Sequence, residues 1–191
     1  MGTQRNENKR CTFQDLLSWD DNSRYEIFDG VPIMLSTPTT KHQGIISYLT
    51  TEFNIFFKGQ TCRVFPSPFT IRLSEADDYD YADNVFEPDI SIVCNKNQLD
   101  QHGCKGAPNL IVEVLSPSTS RNDRVKKYNT YQRFGVYEYW IIDPLNETVE
   151  IYILDNGTYK RWNAFGREDT ISSGQFESFE IKAEDMFSYS E

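Results

Sequence analysis

Apolar and polar positions alternate along this chain in blocks of two different periods. Thr39 to Phe57 places Ile45, Ile46, Leu49, Phe53, Phe56 and Phe57 at helical spacing, and Gly59 follows as a stop. A second helix is predicted over Arg121 to Phe134, closed by Gly135, and a short one over Thr12 to Leu17 with Thr12 as its cap. Other runs read as strands: Arg24–Phe28, Val31–Ser36, Cys62–Phe65, Phe69–Leu73, Ile90–Cys94, Asn109–Leu115, Tyr137–Ile142, Glu147–Leu154 and Tyr159–Trp162. Asp29-Gly30 and Asn156-Gly157 join adjacent strand runs, and both pairs supply the positive φ that a two-residue hairpin turn needs. A last strand is expected around Phe176 to Ile181, with a helix starting at Ala183. SEADDYDYADNVFE is acidic and aperiodic and reads as a loop, as does the polar excursion Lys96 to Gly106. The order of hairpin, helix, strands, helix, strands predicts an α/β or α+β domain in which a central mixed sheet is flanked by helices.

One strand breaks its own pattern. Leu110-Ile111-Val112-Glu113-Val114-Leu115 reads as fully buried, yet carries a glutamate at its centre. An unpaired buried carboxylate costs several kcal/mol, roughly, so a cation, a hydrogen-bond network or an open cleft should compensate Glu113. Two further features bear on that. Pro88-Asp89 immediately precedes the apolar strand at Ile90, which places Asp89 at a strand mouth. Asp123, Lys127 and Tyr131 follow at a spacing of four and share one helix face. Two carboxylates on neighbouring strands with a nearby lysine suit a magnesium site, since magnesium takes oxygen ligands, keeps waters and uses one or two carboxylates. Plainer roles fit each residue alone: Asp89 as a turn cap, Glu113 paired with an arginine or backbone amides, Lys126 and Lys127 as surface charges.

Composition narrows the frame. The chain has 191 residues, enough for one domain with a real core, expected over 11–191 behind a frayed tail over 1–10. Its net charge of −10 argues against a general basic footprint for nucleic acid, though a local site can coexist with an acidic remainder. Cys11, Cys62, Cys94 and Cys104 form no CxxC pair, and His102 near Cys104 lacks a second ligand pair, so reduced thiols are expected rather than zinc. The acidic loop has no EF-hand spacing. No stretch approaches the ~20 apolar residues of a membrane span, and MGTQRNENKR has no apolar core of a signal peptide. A soluble, cytoplasmic protein is the consistent expectation.

EPDISIV and LIVEVLSPSTSRNDRVKKYNTYQRFGVYEYWIIDP together resemble a restriction-endonuclease family, once catalogued as a domain of unknown function, within the PD-(D/E)XK nuclease superfamily. The resemblance begins near YEIFDGVPIMLSTPTTKHQ and runs to Pro144. It implies a restriction-endonuclease-like core, an endonuclease hydrolysing DNA phosphodiester bonds with Mg2+ (or Mn2+), and a homodimer. Asp89 matches the aspartate of the Pro-Asp motif and Glu113 the glutamate of the second half-motif, and these two would hold the metal. The strict pattern puts lysine at position 115, which is Leu115 here. The lysine looks relocated to the following helix, as Lys127, with Lys126 as the fallback. Glu26 and His42 also match family positions, as a further acidic ligand and as a group orienting water or phosphate; Tyr131 reads as packing with a hydroxyl bond. The alternative is an inactive domain of the same fold acting as a binding or scaffold module, which the acidic charge and Leu115 favour. A hydrolase of another phosphate ester is a third reading.

Overall fold

The computed structural model describes residues 10–20 and 23–189, so most of the expected tail lies outside the described residues. Helix α1 (Phe13–Leu17) starts where the sequence places its cap: Thr12 and Asp15 bond reciprocally, each side chain accepting from the other's amide. Strands β1 (Tyr25–Phe28) and β2 (Val31–Met34) form the expected hairpin, with Asp29 at φ 46° and Gly30 at φ 80°. Helix α2 (Thr40–Phe56), capped by Thr39, buries Ile45, Ile46, Leu49 and Phe53.

Next come β3 (Arg63–Pro66), β4 (Ile71–Leu73), β5 (Asn84–Phe86), β6 (Ile90–Val93), β7 (Leu99–Asp100), β8 (Gly103–Lys105) and β9 (Leu110–Val114). A π-helical segment, Asn122–Lys127, then runs directly into α3 (Tyr128–Phe134), which Gly135 ends in the left-handed conformation. The chain closes with β10 (Glu138–Asp143), β11 (Thr148–Asp155), β12 (Thr158–Phe165), β13 (Thr170–Ser172), β14 (Glu180–Lys182) and α4 (Ala183–Tyr189).

The expected α+β class with a mixed sheet and flanking helices holds, but the strands divide between two sheets of six rather than forming one. One runs β2-β1-β5-β4-β8-β7, the other β12-β11-β10-β9-β6-β3, and β13 pairs only with β14. The second large sheet is mixed, because β9 and β10 are parallel and its other pairs antiparallel. Two readings of loops account for the discrepancy. The acidic stretch ends in β5, which lies between β1 and β4 although it offers only Val85 and Phe86 as apolar cues. Its first residue, Asn84, is buried; its side-chain oxygen accepts the Asp29 amide and its side-chain nitrogen donates to the Asp29 and Asp83 carboxylates. The polar excursion holds β7 and β8. Gly103 is what lets β8 lie against β4: its φ is +121°, and a Cβ there would sit 2.1 Å from the Thr70 carbonyl oxygen.

The cysteines correct a second expectation. Cys62 and Cys94 are joined by a disulfide rather than reduced, because the β3–β6 register that pairs Arg63 with Val93 sets them opposite each other. Cys11 and Cys104 are free thiols. Among the described residues no helix is long and apolar enough to cross a membrane.

Alternation along β9 divides the interior. Leu110, Val112 and Val114 join the core of α2, α4, Trp140 and Ile142. Ile111 and Leu115 join a second core with Tyr131, Tyr139, Ile141 and residues of the first sheet such as Phe28, Ile71 and Phe86. Glu113 shares the side of Ile111 and Leu115, against the helical segment that follows.

Candidate active site

Glu113 is compensated by a cation and a hydroxyl together. Lys127 Nζ lies 2.8 Å from its Oε1, and the Tyr131 hydroxyl donates to the same oxygen at 2.8 Å. Lys127 is also 2.8 Å from Glu26 Oε1 and 3.6 Å from Asp123 Oδ1. Glu26 comes from β1 and accepts the Glu87 amide at 3.2 Å, which holds its carboxylate beside the ammonium. The wide backbone turn of Asn122–Lys127 puts Asp123 and Lys127 on the same buried side. Arg124 in that turn faces the other way, to Glu150 and Asp143, and ties the segment to the β10–β11 hairpin. Lys126 points outward, exposed, with its ammonium 5.3 Å from the Phe28 ring. The fallback lysine is therefore not among the groups that meet Glu113.

Asp89 approaches from the edge. Its Oδ2 accepts the Val114 amide at 2.7 Å and lies 3.2 Å from His42 Nε2. The Thr39 cap on the His42 amide fixes the first turn of α2, and hence the ring. One ordered strand end thus locates both proposed metal ligands, Asp89 bonding the amide next to Glu113.

The cluster has more negative than positive charge. Four carboxylates, Glu26, Asp89, Glu113 and Asp123, share Lys127 and His42. Burial pushes the Glu113 carboxyl well above its ordinary range; Lys127 pulls it back, and Asp123, Asp89 and Glu26 push it up again. Burial likewise raises Glu26 and Asp123 against the pull of Lys127. Burial opposes the charge on Lys127, yet Glu113, Glu26 and Asp123 together hold its ammonium well above its usual value. One ammonium remains firmly charged while the carboxyls around it compete for it.

These groups floor a cavity of about 410 Å³ whose lining includes Asp89, Glu113, Asp123 and Lys127. Hydroxyls rim it: Ser116 Oγ lies 3.0 Å from both Ser118 Oγ and Thr119 Oγ1, and Ser118 Oγ is 3.4 Å from Ser36 Oγ. Among the described residues no group of three or more His, Cys, Asp or Glu side chains is arranged to hold a metal ion. Magnesium asks for less, one or two carboxylates with waters completing its shell. The donor set meets that: hard carboxylate oxygens in excess of cations, with buried Asp123 Oδ1 lacking a hydrogen-bond partner.

The sequence singled out Asp89, Glu113, Lys127, Glu26, His42 and Tyr131, and all six meet here. Asp123 was visible only as a neighbour on the lysine's helix face, and the hydroxyl rim was not singled out at all. The signal for both was the polar run Ser116 to Asp123 between a buried strand and a helix.

A family model described as "Uma2: Putative restriction endonuclease" matches residues 13–184. An uncharacterized protein, slr1290, of Synechocystis sp. (strain ATCC 27184 / PCC 6803 / Kazusa) is 26% identical over 142 residues, 73% of this chain and 72% of that protein. The crystal structure of a putative nuclease belonging to DUF820 from Anabaena variabilis ATCC 29413 is 22% identical, with a TM-score of 0.75 over 94% of this chain and 98% of its own. At that identity the likeness is one of fold.

Proposed function

Because the chain belongs to the Uma2 family, we propose that it is a Mg2+- or Mn2+-dependent endonuclease that hydrolyses phosphodiester bonds in DNA. The observation that carries this reading is the meeting of Asp89, Glu113 and Lys127 at one cavity, from two strands and a helix. Asp89 and Glu113 would hold the metal. When bound, the metal would lower the pKa of a water ligand and offset charge on the phosphate.

The chain's own groups do the rest. His42 and the Val114 amide orient Asp89, and the Tyr131 hydroxyl orients Glu113. Lys127 Nζ would position the attacking water and stabilise charge developing on the phosphoryl oxygens. The hydroxyls of Ser116, Ser118 and Thr119 stand at the cavity rim, where they can donate to non-bridging oxygens. Lys127 supplies beside Glu113 the ammonium that position 115 lacks, which weighs against the reading as an inactive scaffold. A homodimer belongs to the same reading, since cutting both strands of a duplex takes two such sites; sedimentation showing only monomer at micromolar concentration counts against it.

The test is nicking of supercoiled plasmid DNA with magnesium. Wild-type protein should nick, and Asp89→Ala and Glu113→Ala should not. Absence of cleavage by the purified protein, or variants that cut as well as wild type, refutes the proposal.

A further inference from the structure

Hairpin turns usually present polar side chains to solvent, but the turn after β10 presents a leucine. Asp143 Oδ1 accepts the amides of Leu145 and Asn146, each at 3.1 Å, and its Oδ2 accepts Asn146 Nδ2 at 3.0 Å. Pro144 limits the backbone between them. On this fixed turn Leu145 is 88% exposed, the most exposed of the large apolar side chains among the described residues. A single exposed leucine is ordinary on a protein surface; its position here is not.

Leu145 stands at a groove of about 380 Å³, whose walls also include Leu115, Pro117 and Pro144, with Lys41 among its polar members. This is the size range of small-molecule pockets, about 300–1,000 Å³. The groove shares Thr39, His42, Ser116 and Pro117 with the catalytic cavity, so the two are continuous. The shared edge has a cause in topology. Strands β9 and β10 are parallel, so the chain leaves both at the same end of the sheet, the end that carries Glu113 and Asp89.

We propose that this groove receives the nucleobase adjoining the scissile phosphate, with Leu145 as a wedge that displaces that base from its stack. The proposal rests on the endonuclease reading and adds a substrate class to it: DNA whose base beside the cut is unpaired, mismatched or easily unstacked. A phosphate over Lys127 and Glu113 leaves the neighbouring base one nucleotide away, and the adjoining space is apolar, as the faces of a base require. Ser120 in its lining offers a hydroxyl to the base edge. Lys41, 39% exposed, lies 3.8 Å from Glu147, which Arg167 also holds at 2.7 Å, so its ammonium can turn to the next phosphate while Glu147 keeps a partner. Leucine is among the side chains that act as wedges between base steps, and unstacking is least costly where a base is already mismatched or single-stranded.

The experiment uses full-length protein and oligonucleotides carrying 2-aminopurine at successive positions around a mapped cut, with calcium replacing magnesium to hold the complex. Wild type should bind, by anisotropy, and brighten the probe at one position beside the cut. Leu145→Ala and Leu145→Ser, both at an exposed site, should bind and lose that brightening. In magnesium, wild type should cut mismatched over matched duplex, and the Leu145 variants should show that ratio falling toward one. Equal brightening in wild type and variants, or bound DNA in which no position brightens, overturns the proposal while leaving the endonuclease reading standing. Wild type that neither binds nor cuts DNA overturns both.

Discussion

Lys127 and Glu113 meet at 2.8 Å, one from a helical segment and the other from the strand beneath it, and both are nearly excluded from solvent. The pair does not stand alone, because Glu26 is equally close to the ammonium. Removing one partner of a buried ion pair costs about 3–5 kcal/mol, since the other charge stays buried. Lys127→Met should lose stability of that order near neutral pH, read by urea denaturation.

Its deficit should also depend on pH. Glu113, Glu26 and Asp123 have folded values raised above their unfolded ones, so the folded state holds more protons and stability grows as pH falls through that window. Without the ammonium their values climb further, and protonation relieves the variant more than the wild type. The deficit should therefore shrink as pH falls through the raised carboxyl values. A deficit that stays constant over that range would contradict this account.

Local physics made part of this legible in sequence. Asp29-Gly30 and Thr12 act within a few residues, and the hairpin and cap stand where they were expected. Glu113 was conspicuous because the period of its strand has no place for a charge. Long-range pairing was not legible. Asn84-Val85-Phe86 is too short to show a period, and its neighbours β1 and β4 decide that it is a strand. The Cys62–Cys94 bond depends on β3–β6 register across 32 residues. Asp123, Lys127 and Tyr131 were read as one face of a regular helix, but the first two lie in a π-helical segment, which residue spacing does not announce.

Glu113→Gln separates stability from function. The substitution removes one of the competing carboxylates and retains an oxygen for Tyr131 and Lys127. Lys127 keeps Glu26 and Asp123 as partners. Thermal stability at neutral pH should therefore match or exceed wild type. Manganese binding, followed by calorimetry, should weaken by at least about tenfold, the scale at which even outer-sphere changes affect metal sites. Unaltered manganese affinity would remove Glu113 from the proposed ligand set.

Glu138 is a further buried carboxylate, and it does not line the cavity. It accepts from Trp140 Nε1 at 2.6 Å, Ser173 Oγ at 2.8 Å, and the amides of Gly174 and Gln175 at 3.2 and 2.9 Å. These bonds tie the segment after β13 to the central sheet. Glu138→Ala leaves four donors without this acceptor, each unmet buried group costing about 1–3 kcal/mol before relaxation. We expect a net loss of about 3–5 kcal/mol in chemical denaturation, among the larger single-residue effects. Hydrogen exchange should quicken first at Gly174 and Gln175. A loss below about 1 kcal/mol would mean that water or local rearrangement replaces the carboxylate.

His42 reports directly on Asp89. Burial works against the charged imidazole, but the hydrogen bond and charge of Asp89 outweigh it, so its pKa is raised above 6.5. A raised folded value means that its stabilisation is fully present below the unfolded value of 6.5 and is lost as pH rises through the folded one. In Asp89→Asn the main opposing influence disappears, and only the Val114 backbone and Asp123 still favour the charge against burial, the largest single influence. Burial should then prevail and bring His42 below 6.5. The chain has only two histidines, so proton NMR titration can follow His42 with exposed His102 as the second signal. Stability should change in step: the wild-type advantage over Asp89→Asn that is linked to His42 should diminish as pH rises through the wild-type value. An imidazole that titrates identically in both proteins would show that the 3.2 Å contact carries no charge coupling, and that Asp89 is held by the Val114 amide alone.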